Sequence, residues 1–181
     1  MVIYNHFVWV VRSEHYDPSR SVVLTGFMGA GKTTVGSLVA NLLNRPFYDL
    51  DEIILQSYGE APFNLMLEGD EQKFREIEKN TAFELLRKRP SVIAFGGGTM
   101  EDARVREKAL SSSFVVYLKA SFSTLWERIQ SSNTFRPLAQ KLGRDGLERL
   151  LAQREANYDK AHFTVFAELY EPAFLAKVIR H

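Results

Sequence analysis

The stretch SVVLTGFMGAGKTTVG, Ser21 to Gly36, constrains the fold more than any other part of the chain. Ser21 to Thr25 is short and β-branched, and reads as a buried strand. Gly26, Gly31, Lys32 and Thr33 then fit the spacing G-x-x-x-x-G-K-[ST]. Past the lysine, Val35, Leu38, Val39, Leu42 and Leu43 recur at helical spacing. A strand that runs through a glycine loop into a helix points successive backbone N–H groups into one concavity, where the positive end of the helix also lies. That concavity takes a phosphate. Lys32 would reach the terminal phosphates, and the Thr33 hydroxyl would ligate Mg²⁺. The bland alternative is a glycine-rich turn with an incidental Lys-Thr, but the flanking strand and helix patterns argue against it. The loop does not say whose phosphate it holds or where that phosphate goes.

The rest of the chain continues the alternation. Short apolar runs at 47–50, 91–95, 114–118 and 163–166 read as strands. Helical spacing appears over 51–58, 70–89, 102–110, 121–130, 147–161 and 172–180. Residues 131–143 are polar and contain a proline, so they read as a loop. Strands alternating with helices predict an α/β fold with a parallel sheet covered on both faces. A length of 181 residues suits one domain, here residues 21–181. Residues 1–20 read as an N-terminal extension. Its FVWVV run, Phe7 to Val11, is too short for a signal peptide and has no basic start. It is expected to fray or to add an edge strand, with a membrane-contacting or regulatory role as the alternative.

Composition excludes several classes. Lys and Arg number 23 against 22 Asp and Glu, and no block masses the basic residues, so there is no electrostatic footprint for nucleic acid. No apolar run approaches the roughly 20 residues of a membrane helix. The absence of cysteine rules out disulfides and thiolate metal sites, and fits a reducing compartment.

Several side chains suit chemistry at a phosphate site. In YDLD, Asp49 and Asp51 are alternate residues at a strand end, so both would emerge at the carboxyl edge of the sheet, where open α/β folds bind ligands. One could hold Mg²⁺ through water and the other meet a hydroxyl; equally, Asp51 could simply cap the next helix. Arg75 lies one turn from Glu71 and three residues before Glu78, which reads either as a fixed guanidinium or as a solvated ion-pair ladder. FGGGT, Phe95 to Thr99, lets backbone approach a ligand closely, or is a plain turn. Arg136, in FRPL, could close over a phosphate from the loop at 131–143. Arg154 and Tyr158 lie four apart on one helix face, and Arg suits bidentate carboxylate binding. Taken singly, each of these last two features also fits surface decoration.

Taken in order, these features resemble the shikimate kinase family. The glycine loop, the Asp-x-Asp, the Phe-Arg with its acids, the triple glycine, the Arg-Pro-Leu and the late Arg-x-x-x-Tyr span Gly26 to Tyr158 at compatible spacing. The resemblance implies a P-loop NTPase-like three-layer α/β/α sandwich, with a central five-stranded parallel sheet and a mobile lid. It also implies transfer of the γ-phosphate of ATP to the 3-hydroxyl of shikimate, a step toward chorismate and the aromatic amino acids, by a cytoplasmic monomer. On this pattern Gly29, Ala30, Gly31, Lys32, Thr33, Thr34 and Arg136 would bind ATP. Thr33, with Asp49 through water, would hold Mg²⁺. Asp51, Arg75, Gly97, Gly98 and Arg154 would bind shikimate, with Lys32, Asp51 and Arg136 catalytic. Two departures stand out: Asp70 replaces a glycine usual ahead of the Phe-Arg, and the Arg that stacks on adenine has no clear counterpart, Arg128 falling near its place. The rivals are another small-molecule P-loop kinase, such as a gluconate or adenylate kinase, and a ligand-sensing domain on the same fold.

Overall fold

The computed structural model describes residues 2–4, 7–11, 17–59, 61–68, 70–88, 90–132 and 136–180. Strand β3 (Ser21–Thr25) is buried at every position and forms the centre of a sheet. Helix α1 (Lys32–Leu43) starts directly after the glycine loop and stops at Asn44, whose left-handed backbone (φ 52°) closes the helix end. Strand β4 (Phe47–Asp49) follows. Next come α2 (Leu50–Tyr58), α3 (Ala61–Glu68) and α4 (Glu71–Arg87). Strand β5 (Val92–Ala94) leads into a 3-10 turn at Thr99–Glu101 and helix α5 (Ala103–Ser112). Strand β6 (Ser113–Lys119), α6 (Phe122–Ser131), α7 (Pro137–Tyr158), β7 (Phe163–Phe166) and α8 (Pro172–Arg180) complete the chain.

Five strands run parallel in the order β4-β5-β3-β6-β7. The crossover from β3 to β4 moves outward in one direction; those from β4 to β5, β5 to β6 and β6 to β7 all move in the other. Right-handed crossovers therefore put α1 on one face and α4, α5 and α7 on the opposite one. Helix α8 packs against α1, and α4 against α5, which makes the three layers. Val22, Val23, Val92, Ile93, Val115 and Val116 are fully buried between them. Each such side chain contributes about 1.5–3 kcal/mol of burial.

Two further strands join this sheet. Strands β1 (Val2–Tyr4) and β2 (Phe7–Val11) pair antiparallel with each other. Strand β2 also pairs antiparallel with β7, Trp9 lying opposite Val165, so the sheet has seven strands among the described residues.

The structure departs from the sequence pattern in two places. The loop expected over 131–143 is helical from Pro137 onward, with 133–135 outside the described residues. Proline at the first helical position loses no hydrogen bond and already has the helical φ, so it starts α7 rather than preventing it. The break comes later, at Gly143 (φ 61°, ψ −170°), inside the run that continues to Tyr158. Helix α3 was not apparent because APFNLMLE is short and mostly apolar, with only Asn64 and Glu68 to mark a polar side.

Candidate active site

The carboxyl ends of β3, β4 and β5 open into a cleft of about 650 Å³. Gly29, Gly31, Lys32, Thr33 and Thr34 from the loop and α1 line one part. Asp51, Arg75, Gly97, Gly98 and Arg154 line another, with Arg136 between them at the start of α7. Ala30 is buried and borders a second hollow behind the loop instead.

The loop half is built from backbone. Gly31 is the N-cap of α1, with φ 90°. Lys32 folds back on its own loop, Nζ donating to Gly26 O at 2.8 Å and Phe27 O at 3.0 Å. Burial pushes the Lys32 amine down to about 8, against the pull of Asp51 and Asp49. The Thr33 hydroxyl donates to Asp49 Oδ2 at 2.6 Å. The other oxygen of Asp49 accepts from the backbone N–H groups of Asp51 (3.1 Å) and Glu52 (3.3 Å). Asp49, not Asp51, is thus the cap of α2. That leaves the Asp51 carboxylate unused by the helix end.

Asp51 opens to water on the cleft side, but protein packs around its remaining sides. That burial, with the Glu78 and Asp49 carboxylates nearby, pushes Asp51 up to about 7; Lys32 and Arg136 act the other way. Burial also works against the charge of Arg136, and Asp51 favours it. Arg136 Nε is buried without a hydrogen-bond partner in the described structure.

Arg75 is held from both sides along α4. Its Nη1 donates to Glu78 at 2.6 Å and its Nη2 to Glu71 at 2.9 Å. Glu71 is solvent-exposed, but the Glu78 side chain is only 5% exposed and also accepts from Thr99 Oγ1 at 2.8 Å. Burial opposes the Arg75 charge, yet Glu78 and Glu71 together keep its pKa above the ordinary guanidinium value. Asp70 at the head of α4 has a negative φ of −93° and caps the helix through Lys73 N, so the residue that replaces the family glycine is an ordinary N-cap.

The glycine triplet makes room for these side chains. A Cβ on Gly98 would lie 2.3 Å from Arg75 Nη1. One on Gly96 would lie 2.7 Å from Asp51 Oδ1 and 2.9 Å from Glu78 Oε1. Gly97 turns its carbonyl toward α7, where Arg154 Nη1 (3.1 Å) and the Tyr158 hydroxyl both donate to it. Arg154 is 5% exposed.

Some lining residues carried no recognisable motif. Leu55, Phe63 and Phe74 give the cleft an apolar wall, with Phe63 and Phe74 ring centroids 5.6 Å apart. Arg128 reaches from α6 to Gly29 O (3.4 Å) and Ala167 O (3.1 Å). It borders both the cleft and the second hollow, about 470 Å³, which Tyr170 and Pro172 also line. The arginine was visible in the sequence; its neighbours come from the β7–α8 connection, far along the chain.

The Thr33–Asp49 pair offers hard oxygen donors beside the phosphate loop, which suits Mg²⁺ bound by few protein groups and by phosphate oxygens. No group of three or more His, Cys, Asp or Glu side chains among the described residues could hold a metal. Among the same residues, no helix is long and apolar enough to cross a membrane.

Comparison with known proteins agrees with this geometry. A shikimate kinase from Chlorobium chlorochromatii is 39% identical over 153 residues, covering 80% of this chain and 80% of that protein. The solved structure of shikimate kinase from Acinetobacter baumannii in complex with shikimate superposes with a TM-score of 0.81. It is 35% identical and covers 89% of this chain and 90% of its own. A gluconokinase from Sinorhizobium meliloti, 23% identical, with a TM-score of 0.52 and coverage of 91% of this chain and 94% of its own, shares the fold alone. The family model for shikimate kinase matches residues 28–181, and the chain belongs to that family.

Proposed function

We propose that the protein transfers the γ-phosphoryl group of ATP to the 3-hydroxyl of shikimate, giving shikimate 3-phosphate and ADP on the route to chorismate and the aromatic amino acids. One observation carries the reading: a single cleft joins a phosphate-binding loop to two arginines and an aspartate suited to a small anionic polyol. The ATP phosphates lie on the N–H groups of Gly29, Ala30, Gly31, Lys32, Thr33 and Thr34. Lys32 turns from the loop carbonyls to the phosphates. The second hollow, beside Arg128, takes the base end of the nucleotide. Thr33, with Asp49 through water, holds Mg²⁺, which neutralises phosphate charge when bound. Arg75 and Arg154 bind the shikimate carboxylate, the backbone of Gly97 and Gly98 lies beside the ring, and Asp51 holds the hydroxyls.

The hydroxyl oxygen attacks the γ-phosphorus as the bond to the β-phosphate bridging oxygen breaks. Phosphoryl transfer passes through a loose transition state, so positioning and charge neutralisation outweigh strong base catalysis. Asp51 is therefore a positioner first and a proton acceptor second. Arg136 closes over the transferring group, meets its charge and excludes water. The working form is taken as a cytoplasmic monomer of which residues 21–181 are the kinase domain, and sedimentation of the full chain tests its size. An ADP-release assay with Mg-ATP and shikimate, run beside quinate and gluconate, tests the activity. Turnover of gluconate without turnover of shikimate refutes it.

A further inference from the structure

Tyr158 is the last residue of α7 and is completely buried. Its ring is tilted against that of Tyr117 on β6, with centroids 5.2 Å apart. Packing alone would be served by phenylalanine. The hydroxyl instead gives its single proton to the carbonyl of Gly97, in the wall of the cleft.

The same carbonyl accepts from Arg154 Nη1 at 3.1 Å. A carbonyl oxygen has two lone pairs, so these two donors fill it. A guanidinium has five N–H donors, and only one of those on Arg154 goes to Gly97. Gly97 in turn packs on the glycine loop: a Cβ built there would lie 3.5 Å from Met28 N and 3.8 Å from Gly26 O.

We propose that Tyr158 is a positioning residue of the acceptor clamp, which occupies one side of the Gly97 carbonyl and so leaves the Arg154 guanidinium turned to the shikimate carboxylate. The inference rests on shikimate as the acceptor. Without the phenol, the part-buried Gly97 oxygen has a lone pair to fill. Arg154 already donates to this oxygen and has further N–H groups to give. A second N–H given to Gly97 draws the fork away from the cleft and costs the bidentate geometry a carboxylate needs.

Tyr158→Phe keeps the ring and removes only the hydroxyl, and Tyr117→Phe is the control for packing. KM for each substrate, kcat and melting temperature are measured on the full chain. Tyr158→Phe is expected to raise KM for shikimate about tenfold, the loss of one hydrogen bond's worth of binding, while KM for ATP changes less than about twofold. Tyr117→Phe is expected to leave KM for shikimate in place. An unchanged KM for shikimate in Tyr158→Phe overturns the inference. So does an equal rise in Tyr117→Phe, or a fall in kcat with both KM values fixed, since each marks a packing role. If the unmodified protein does not turn over shikimate, the functional reading itself falls and this inference with it.

Discussion

The two halves of the cleft are built by different means. The donor half is one continuous stretch, Gly26 to Thr34, which on the proposed reading binds mostly through backbone N–H. The acceptor half gathers Asp51 from α2, Arg75 from α4, Gly97 and Gly98 after β5, and Arg154 from α7. Backbone donors recognise phosphate wherever it occurs, so the donor half is generic. Side chains drawn from three helices, with glycine backbone beside them, would on the proposed reading recognise one arrangement of carboxylate and hydroxyls, so identity would lie in the acceptor half. The same contrast appears in the support each half needs. The loop is held largely from within, Lys32 folding onto its own carbonyls, with Arg128 on Gly29 and Asp49 on Thr33 from outside. Arg75 depends on Glu71, Glu78, Thr99 and a missing side chain at Gly98.

This contrast breaks first, and hardest, at the residues that serve both halves. Arg136→Ala is expected to lower kcat by about 10³-fold or more with little change in KM for shikimate, because an arginine over the transferring phosphoryl acts chiefly in the transition state. Steady-state kinetics check this, and an effect confined to shikimate affinity would sink the bridging role. Next comes the acceptor clamp. Arg75→Ala is expected to raise KM for shikimate by roughly 30-fold or more, since the carboxylate keeps only Arg154 and the buried Glu78 loses its cation. A fall in ATP affinity with shikimate affinity intact would place Arg75 in the wrong half.

Gly98→Ala sharpens the comparison more gently. The new methyl would meet Arg75 Nη1 at 2.3 Å, so the guanidinium must shift, and a several-fold rise in KM for shikimate alone is expected. An equal rise in KM for ATP would mean that the triplet belongs to the donor half as well.

The smallest effect concerns stability, measured with chelator and without ligands. Asp51 has its pKa raised on folding from 3.8 to about 7, so ionising it works against the folded state. Its stabilising protonated form is fully present below about pH 4 and is lost as pH rises toward 7. Asp51→Asn cannot ionise. Its melting temperature is therefore expected to exceed that of the unmodified protein at pH 8, by about 2–4 °C for each kcal/mol recovered, and the gap should close as pH falls to 4. Calorimetric melts at both values decide it; a lower melting temperature at pH 8 would mean that Lys32 and Arg136 outweigh burial at Asp51.

Legibility in the sequence follows the same division. The loop at Gly26–Thr33 and the strand-helix alternation are local patterns, and both appear in the fold. The acceptor residues were visible as isolated motifs, and only their order along the chain suggested a set. What stayed hidden depends on element boundaries and distant partners. YDLD does not say which aspartate caps α2, because that depends on where the helix starts, and it starts at Leu50. RxxxY does not say that both side chains converge on one carbonyl 57 and 61 residues earlier. Helix α3 and the start of α7 were missed for a local reason: one is short and mostly apolar, and the other begins at a proline within a polar run.

Strand β2 has a consequence beyond the cleft. A parallel sheet that stopped at β7 would present the outward-facing half of that strand's N–H and C=O groups along an open border. Pairing with Trp9, Val10 and Val11 closes that border, and the border then passes to a strand of three residues. Long open borders recruit other chains, whereas short ones do so poorly. The opening segment of the chain thus acts as a hem on the sheet, and a shortened protein starting near Pro18 is expected to keep its kinetics while clumping at lower concentration.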